Sequence, residues 1–234
     1  MRYELWLGLR YLFAKRRERF ISVIAVLSIG GVALGVAALL LVTGAMSGFR
    51  HEITEKLVGI NAHLTVDAPQ GIQEREELLR RISATEHVVG VSPFVSGQAI
   101  LRLPDRAFGV LVRGIDLERE SRVNRLADYM VMGRLPSKDD EVVIGTELAA
   151  FVRAIPGARL QVISPADGKL HECVISGIFH SGMYEYDANL VAMTLARAQQ
   201  LYQLGHAVTG IGVKVDDIER ASDVKRVLQR QLGQ

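Results

Sequence analysis

One uninterrupted apolar stretch, Phe20 to Phe49, dominates the hydrophobic pattern of the chain. It reads FISVIAVLSIGGVALGVAALLLVTGAMSGF and contains no charged residue and no proline. As a helix it would extend about 45 Å, because each residue adds about 1.5 Å. The hydrocarbon core of a bilayer is only about 30 Å thick, so the stretch predicts a transmembrane helix that is longer than the core it crosses.

An apolar stripe continues past the C-terminal end of this stretch. Val42, Met46, Phe49 and Ile53 recur at steps of three or four residues, which places them on one face of a helix. Charged residues between 50 and 56 occupy the other face. Two interpretations stay open: the stripe packs on the chain's own domain, or it remains available to another molecule.

Two glycines inside the stretch form a small-xxx-small pair. Gly31 and Gly35 lie four residues apart, with several alanines nearby. Such a pair lets the backbone of a second membrane helix approach closely, so we expect this face to pack against protein.

The N-terminal segment sets the predicted topology. Residues 3–14, YELWLGLRYLFA, have the pattern of an amphipathic helix with interfacial aromatic residues, followed by KRRER. Residues 1–19 carry a net charge of +4, whereas the remainder carries −2. Since positive charge beside a span stays in the cytoplasm, we expect the N-terminus in the cytoplasm and the main domain on the other side of the membrane. A cleaved signal peptide is the alternative, but its apolar region would be only about 7–15 residues long.

The remainder of the chain has the pattern of an α+β domain. A βα unit near 63–84 and another at 208–231 enclose a β-rich middle, which predicts a split α/β subdomain carrying an inserted small β subdomain at about 140–195. The predicted organisation is an interfacial helix at 1–19, a transmembrane helix at 20–49, a stalk at 50–62 and a core domain at 63–234.

No catalytic motif occurs in the sequence. There is no GxxxxGK[ST] loop for ATP phosphates, no GxSxG, no HExxH and no CxxC. His171 and Cys173 lie two positions apart on a predicted strand, so their side chains share one face and could reach one metal ion. A buried cysteine and a surface histidine explain the pair more simply. The single cysteine excludes a disulfide within the chain. We therefore predict that the chain is not an enzyme and binds no metal or cofactor itself. The basic cluster before residue 20 is short and adjoins the span, so we also predict that the chain does not bind nucleic acid.

Four segments carry a resemblance to a known family. They are LGLRYLFAKRRERFISVIAVLSIGGVALGVAALLLVTGAMSGFRHEI at 7–53, VLVRGID at 110–116, VVIGTELA at 142–149 and SGMYEYDANLVAMTLARAQQLY at 181–202. Together they resemble the LolC/LolE permeases of the lipoprotein-releasing ABC transporter, within the wider MacB-like group. The most distinctive motif consists of Gly182, Met183, Tyr184, Glu185, Tyr186 and Asp187.

The resemblance implies a mechanical role. A LolD-like ATPase would supply ATP and Mg, and a second LolC/LolE-like permease or a second copy of this chain would complete the membrane part. The complex would lift lipoproteins from membrane lipid and hand them to a LolA-like periplasmic carrier. The stripe Val42, Met46, Phe49 and Ile53 is then the expected lipoprotein contact.

The sequence departs from the family pattern at two places. Family members continue into three further spans, whereas this sequence stops at Gln234, so we expect a fragment or a split form of a longer subunit. The carrier-binding loop of LolC-type subunits is represented only by SPADGKLH at 164–171, with Pro165, Asp167 and Gly168. This reduced loop indicates a LolE-like or merged role.

Two other functions stay open from the sequence. A MacB-like or FtsX-like permease would pass mechanical motion to an efflux partner or to a cell-wall hydrolase. A membrane-tethered binding domain outside the cytoplasm would need no further spans.

Overall fold

The computed structural model describes Tyr3, Trp6 and residues 19–232. The predicted interfacial helix at 1–19 therefore lies mostly outside the described residues, although Tyr3 and Trp6 are helical and exposed. The chain divides into two compact units, Met1–Thr54 and Glu55–Gln234.

Seven α-helices occur between residues 19 and 232. They are α1 (Arg19–Ile60), α2 (Arg75–Ser83), α3 (Leu117–Glu120), α4 (Thr146–Val152), α5 (Tyr184–Asn189), α6 (Leu195–Leu201) and α7 (Ala221–Leu232). Short 3₁₀ helices cover Leu126–Tyr129 and Ile218–Arg220.

Nine strands in the same part of the chain form one sheet. They are β1 (Leu64–Ile72), β2 (Val88–Arg102), β3 (Ala107–Ile115), β4 (Met130–Gly133), β5 (Glu141–Gly145), β6 (Arg159–Ile163), β7 (Leu170–Phe179), β8 (Leu190–Thr194) and β9 (Val208–Val215). Neighbouring strands follow the order β1-β9-β2-β3-β8-β5-β7-β4, and β6 pairs with both β2 and β7. The β3–β8 and β5–β7 pairs are parallel, and the other pairs are antiparallel.

Helix α1 confirms the prediction of one long apolar helix. It continues without a break for 42 residues. Within it Val23–Met46 is long and apolar enough to cross a membrane by length and composition, with a mean hydropathy of 2.6 and no buried residue. It is the one such helix among the described residues.

Six strands close into a ring around the main core. Because β6 joins β2 to β7, hydrogen-bonded pairing runs from β2 through β3, β8, β5, β7 and β6 back to β2. Alternate side chains of these strands meet inside the ring, as expected for strands with one buried face. Among them are Leu101, Val112, Ile144, Ile175 and Met193, each at most 1% exposed. The ring thus uses β2 and β3 as well as the strands of the segment at 140–195 that was predicted to be an insertion.

A second core lies between helices and the outer strands. Leu79 and Ile82 of α2 and Val224 and Leu228 of α7 pack with buried residues of β9. The two βα units predicted at opposite ends of the sequence therefore share one core.

Two local predictions differ from the structure, namely those that the sequence pattern makes of a helix at 72–84 and of a strand at 188–194. Helix α2 begins at Arg75 rather than at residue 72, because β1 continues through a register break to pair Ile72 with Val208. The strand predicted at 188–194 begins at Leu190, because Tyr184–Asn189 form helix α5.

Candidate functional site

The predicted lipoprotein-contacting residues all belong to helix α1. Val42 is 68% exposed and Met46 is 60% exposed, so neither packs against the described chain. Phe49 and Ile53 are helical, but their side chains lie outside the described residues. The two described members of the stripe are thus open to lipid or to another chain.

The glycine pair also lies on an open part of α1. Side-chain carbons added at Gly31 and Gly35 would meet no atom within 4 Å. The two residues are one turn apart, so they share a shallow face that a second helix can approach.

The motif at 182–187 forms a turn followed by a short helix. Gly182 has φ of +76°, a conformation that favours glycine. The chain then enters α5, where the amide of Asp187 donates to the carbonyl of Met183 at 2.9 Å. The motif is therefore a compact turn whose first residue is required by backbone conformation.

Asp187 holds this turn together from inside. Its residue is 2% exposed, and its carboxylate accepts hydrogen bonds from the amide and the hydroxyl of Ser181, both at 2.7 Å. The amide of Gly182 donates to the other carboxylate oxygen at 3.2 Å. His180 lies beside that oxygen, with 3.0 Å between Nδ1 and Oδ2. These hydrogen bonds offset the free-energy cost of removing the carboxylate from water. Asp187 thereby holds the turn next to the end of β7.

The two tyrosines of the motif have different environments. Tyr184 is 73% exposed. The ring of Tyr186 packs against a core cluster that includes Phe179 and Leu190, and its hydroxyl bonds to the side chain of Asn61. Tyr186 thus connects the motif to the residue that directly follows α1.

The reduced carrier-binding loop is a closed turn between β6 and β7. The amide of Ser164 donates to the carbonyl of Lys169 at 2.9 Å, and the amide of Gly168 donates to the carbonyl of Ser164 at 2.9 Å. The amide of Lys169 donates to the Asp167 carboxylate at 3.1 Å, and this bond lowers the pKa of Asp167 from 3.8 to about 2. Pro165 lies within the same turn. Because of these bonds, the connection between β6 and β7 is a short turn whose polar groups bond to one another.

The residues considered for a metal site belong to the β-ring. Cys173 is 1% exposed and lies in the main core, where burial raises the pKa of its thiol. His171 is half-buried on the same strand, and burial lowers its pKa. Among Tyr3, Trp6 and residues 19–232, no three His, Cys, Asp or Glu side chains are grouped to hold a metal ion.

Sequence reasoning missed the contacts that give the motif its structure. Asn61 and Tyr186 are 125 positions apart, so no local pattern connects them. The buried role of Asp187 was also missed, because its backbone donors Ser181 and Gly182 lie six and five positions before it, farther than the usual local bonds between an aspartate and the backbone.

Comparisons with known proteins agree with this arrangement. Residues 25–231 match the family model of the MacB-like periplasmic core domain. The chain is 32% identical over 231 residues to the lipoprotein-releasing system transmembrane protein LolC of Neisseria meningitidis, covering 93% of this chain and 55% of that protein. It is 33% identical to LolC of Xylella fastidiosa, covering 97% of this chain and 57% of that protein.

More distant relatives extend the comparison. The lipoprotein-releasing system transmembrane protein LolE of Haemophilus influenzae is 25% identical and covers 89% of this chain and 54% of that protein. The extracellular domain of the noncanonic ABC-type transporter YknZ from Gram-positive bacteria shares the fold, with a TM-score of 0.50 at 13% identity. That match covers 73% of this chain and 95% of the YknZ domain.

The chain spans about half the length of the LolC and LolE relatives it matches. The family model nevertheless covers most of the chain, and the identity to the LolC relatives extends over nearly all of it. This chain therefore belongs to the MacB-like periplasmic core domain family and, within it, to the LolC/LolE permeases.

Proposed function

We propose that this chain is the permease subunit of an ABC transporter that extracts lipoproteins from the outer leaflet of the inner membrane. The complex releases them toward a LolA-like periplasmic carrier. A LolD-like partner hydrolyses ATP with Mg, and a second LolC/LolE-like permease or a second copy of this chain completes the membrane part. The relatives named lipoprotein-releasing system transmembrane proteins support this substrate class.

The observation that carries the proposal is the course of helix α1. The candidate membrane span within it ends at Met46, and the helix continues without interruption to Ile60, shortly before strand β1. Met46 and Val42, one turn earlier, are exposed. An exposed apolar surface is thus available at the end of the span that leads to the domain.

The energetics of lipid extraction require such a surface. Burying an acyl chain in a membrane contributes about 0.8 kcal/mol per CH₂ group. Removing the acyl chains of a lipoprotein from the bilayer therefore needs an external energy source and an apolar protein surface that can receive them. ATP hydrolysis by the partner supplies the energy, and the apolar stripe that begins at Val42 and Met46 forms part of this surface.

The positive N-terminal segment supports the orientation. Residues 1–19 have a net charge of +4, and basic residues beside a span are retained in the cytoplasm. We propose that the α/β domain lies in the periplasm, where it meets the released lipoprotein.

Depletion of the protein in living cells tests this function. We expect lipoproteins destined for the outer membrane to accumulate in the inner membrane, and we expect the wild-type gene to restore their delivery. The measurement is immunoblotting of separated inner and outer membranes. Normal delivery in depleted cells would overturn the proposal.

The fold favours one second candidate. The extracellular domain of YknZ has the same fold, so the domain also suits a transporter that passes motion to another partner, such as an efflux protein or a regulator of cell-wall hydrolases. Normal lipoprotein delivery with a defect in efflux or cell separation would favour that candidate.

A further inference from the structure

The hydroxyl of Tyr186 and the amide of Asn61 make a reciprocal contact. Asn61 Nδ2 donates to the hydroxyl oxygen at 2.9 Å, and the hydroxyl donates to Asn61 Oδ1 at 3.0 Å. Both polar atoms of the asparagine side chain are thus directed at one tyrosine hydroxyl. We call this pair of residues the clasp.

The tyrosine side of the clasp is firmly supported. The ring of Tyr186 packs against the buried cluster that contains Ile115, Phe179 and Leu190. The next residue, Asp187, is buried and bonded to Ser181 and Gly182. The hydroxyl is therefore presented from a part of the domain that has little freedom to move.

The asparagine side of the clasp lies where the helix meets the domain. Helix α1 ends at Ile60, so Asn61 is the first residue beyond it. Two residues later, the amide of Val215 in β9 donates to Nδ1 of His63 at 3.4 Å. The short connection between α1 and β1 is thus attached to the domain on both sides, by the clasp and by β9.

The clasp links the C-terminal end of α1 mechanically to the α/β domain. Any displacement of the C-terminal end of α1 displaces Asn61, because the two are consecutive in the chain. Through the two hydrogen bonds the displacement reaches Tyr186 and then the buried cluster of Ile115, Phe179 and Leu190 on which its ring packs. Without the clasp, the connection at 61–63 would retain its backbone but would lose this side-chain link to the motif.

We propose that Tyr186 is a positioning residue that fixes the end of α1 to the α/β domain and thereby couples ATP-driven movement to lipoprotein release. The inference rests on the proposed function and adds to it a specific pair of residues. The clasp remains closed through the cycle and transmits movement.

The test compares two tyrosines of one motif in the complete transporter. The full-length gene product is reconstituted with its ATPase in proteoliposomes that contain a lipoprotein, and ATP hydrolysis and lipoprotein release are measured together. Tyr186→Phe removes both hydrogen bonds and keeps the packed ring, whereas Tyr184→Phe removes a hydroxyl from a side chain that is 73% exposed.

We expect Tyr186→Phe to release about five- to tenfold less lipoprotein per ATP hydrolysed, the factor that corresponds to the loss of about one net hydrogen bond. Its ATP hydrolysis rate and its amount in the membrane should match the wild type. Asn61→Ala should have the same effect, and the double variant should be no worse than either single variant because both changes break one link. Tyr184→Phe should behave as the wild type.

Two results would overturn the role that we propose for the clasp. The first is an unchanged ratio of release to hydrolysis in both clasp variants. The second is a parallel fall of membrane amount, hydrolysis and release in both variants, since that would indicate a purely structural role. If the wild-type complex itself hydrolyses ATP without releasing lipoprotein, the proposed function fails instead, so the two failures are distinguishable.

Discussion

At the scale of single residues, Asp187 is the side chain on which the motif depends. Asp187→Ala should lower the free energy of unfolding of the α/β domain by about 2–4 kcal/mol, because it leaves the buried amide of Ser181 and the amide of Gly182 without their acceptor. Urea unfolding followed by circular dichroism measures the change.

The neighbouring residue Glu185 provides the matched control for Asp187. Its side chain is exposed in the same short helix, so Glu185→Ala should change the free energy of unfolding by less than about 0.5 kcal/mol. Equal effects of the two substitutions would contradict the buried role assigned to Asp187.

Glu141 gives the domain a dependence on acid. Its carboxylate accepts from Arg134 at 2.6 and 2.7 Å and from the amide of Ser137 at 2.8 Å. These bonds, first of all those from Arg134, lower the pKa of Glu141 from 4.5 to about 2. A lowered carboxyl pKa stabilises the fold at pH values above 4.5, and this contribution is lost as the pH falls toward 2.

Glu141→Gln should therefore differ most from the wild type in thermal stability at neutral pH. The difference should become smaller between pH 4.5 and pH 2, where the wild type loses the same contribution. Melting temperatures measured across this pH range test the prediction. Arg134→Lys, which keeps the charge but loses the paired guanidinium bonds, should show a smaller change of the same kind. A constant difference across the range would contradict it.

At the scale of elements, the contact between β5 and α5 is too close for a side chain. A methyl group added at Gly145, the last residue of β5, would collide with backbone atoms of Asp187. Gly145→Ala should lower the free energy of unfolding by about 1–3 kcal/mol, because the backbone of α5 must shift. Urea unfolding of the variant measures this cost.

Gly109 on β3 offers a control for Gly145. A methyl group there would meet no atom within 4 Å. Gly109→Ala should therefore have a free energy of unfolding close to that of the wild type. A loss at Gly109 equal to that at Gly145 would show that close approach is not the cause.

The sequence predicts elements best where the pattern is local and strong. The charge-free stretch predicts α1. The pattern also predicts strands at 88–103 and 107–114 joined by a turn at Pro104–Asp105, which agrees with the β2–β3 hairpin and its closing bond from the Leu103 amide to the Arg106 carbonyl. Helix α5 could not be predicted because it has only six residues, which is too short for a helical period to appear.

The candidate site could be predicted only in part, for a similar reason. The stripe on α1 follows from spacing along one helix, and the structure leaves Val42 and Met46 exposed. The clasp joins residues 125 positions apart, so it depends on the tertiary fold that brings α5 to the end of α1. Strand β4, only four residues long with a register break, likewise has too short a pattern to be recognised.

At the scale of the whole molecule, the chain combines a candidate membrane helix with a family domain. Helix α1 offers exposed apolar residues at the end of its span, and the α/β domain begins directly after Ile60. The domain contains a closed β-ring, and its fold is shared with the extracellular domain of YknZ. In the function we propose, the helix lies in the membrane and the domain receives movement that a partner ATPase drives.

ATP-dependent release from proteoliposomes is the most direct test of this account. The full-length gene product and its ATPase are reconstituted with an acylated lipoprotein, and the lipoprotein that appears in the soluble fraction with a periplasmic carrier is measured with and without ATP. We predict release only with ATP, and several-fold less release from Met46→Asp, which places a charge on the exposed stripe. Normal ATP hydrolysis without release of lipoprotein by the wild-type complex would contradict the account.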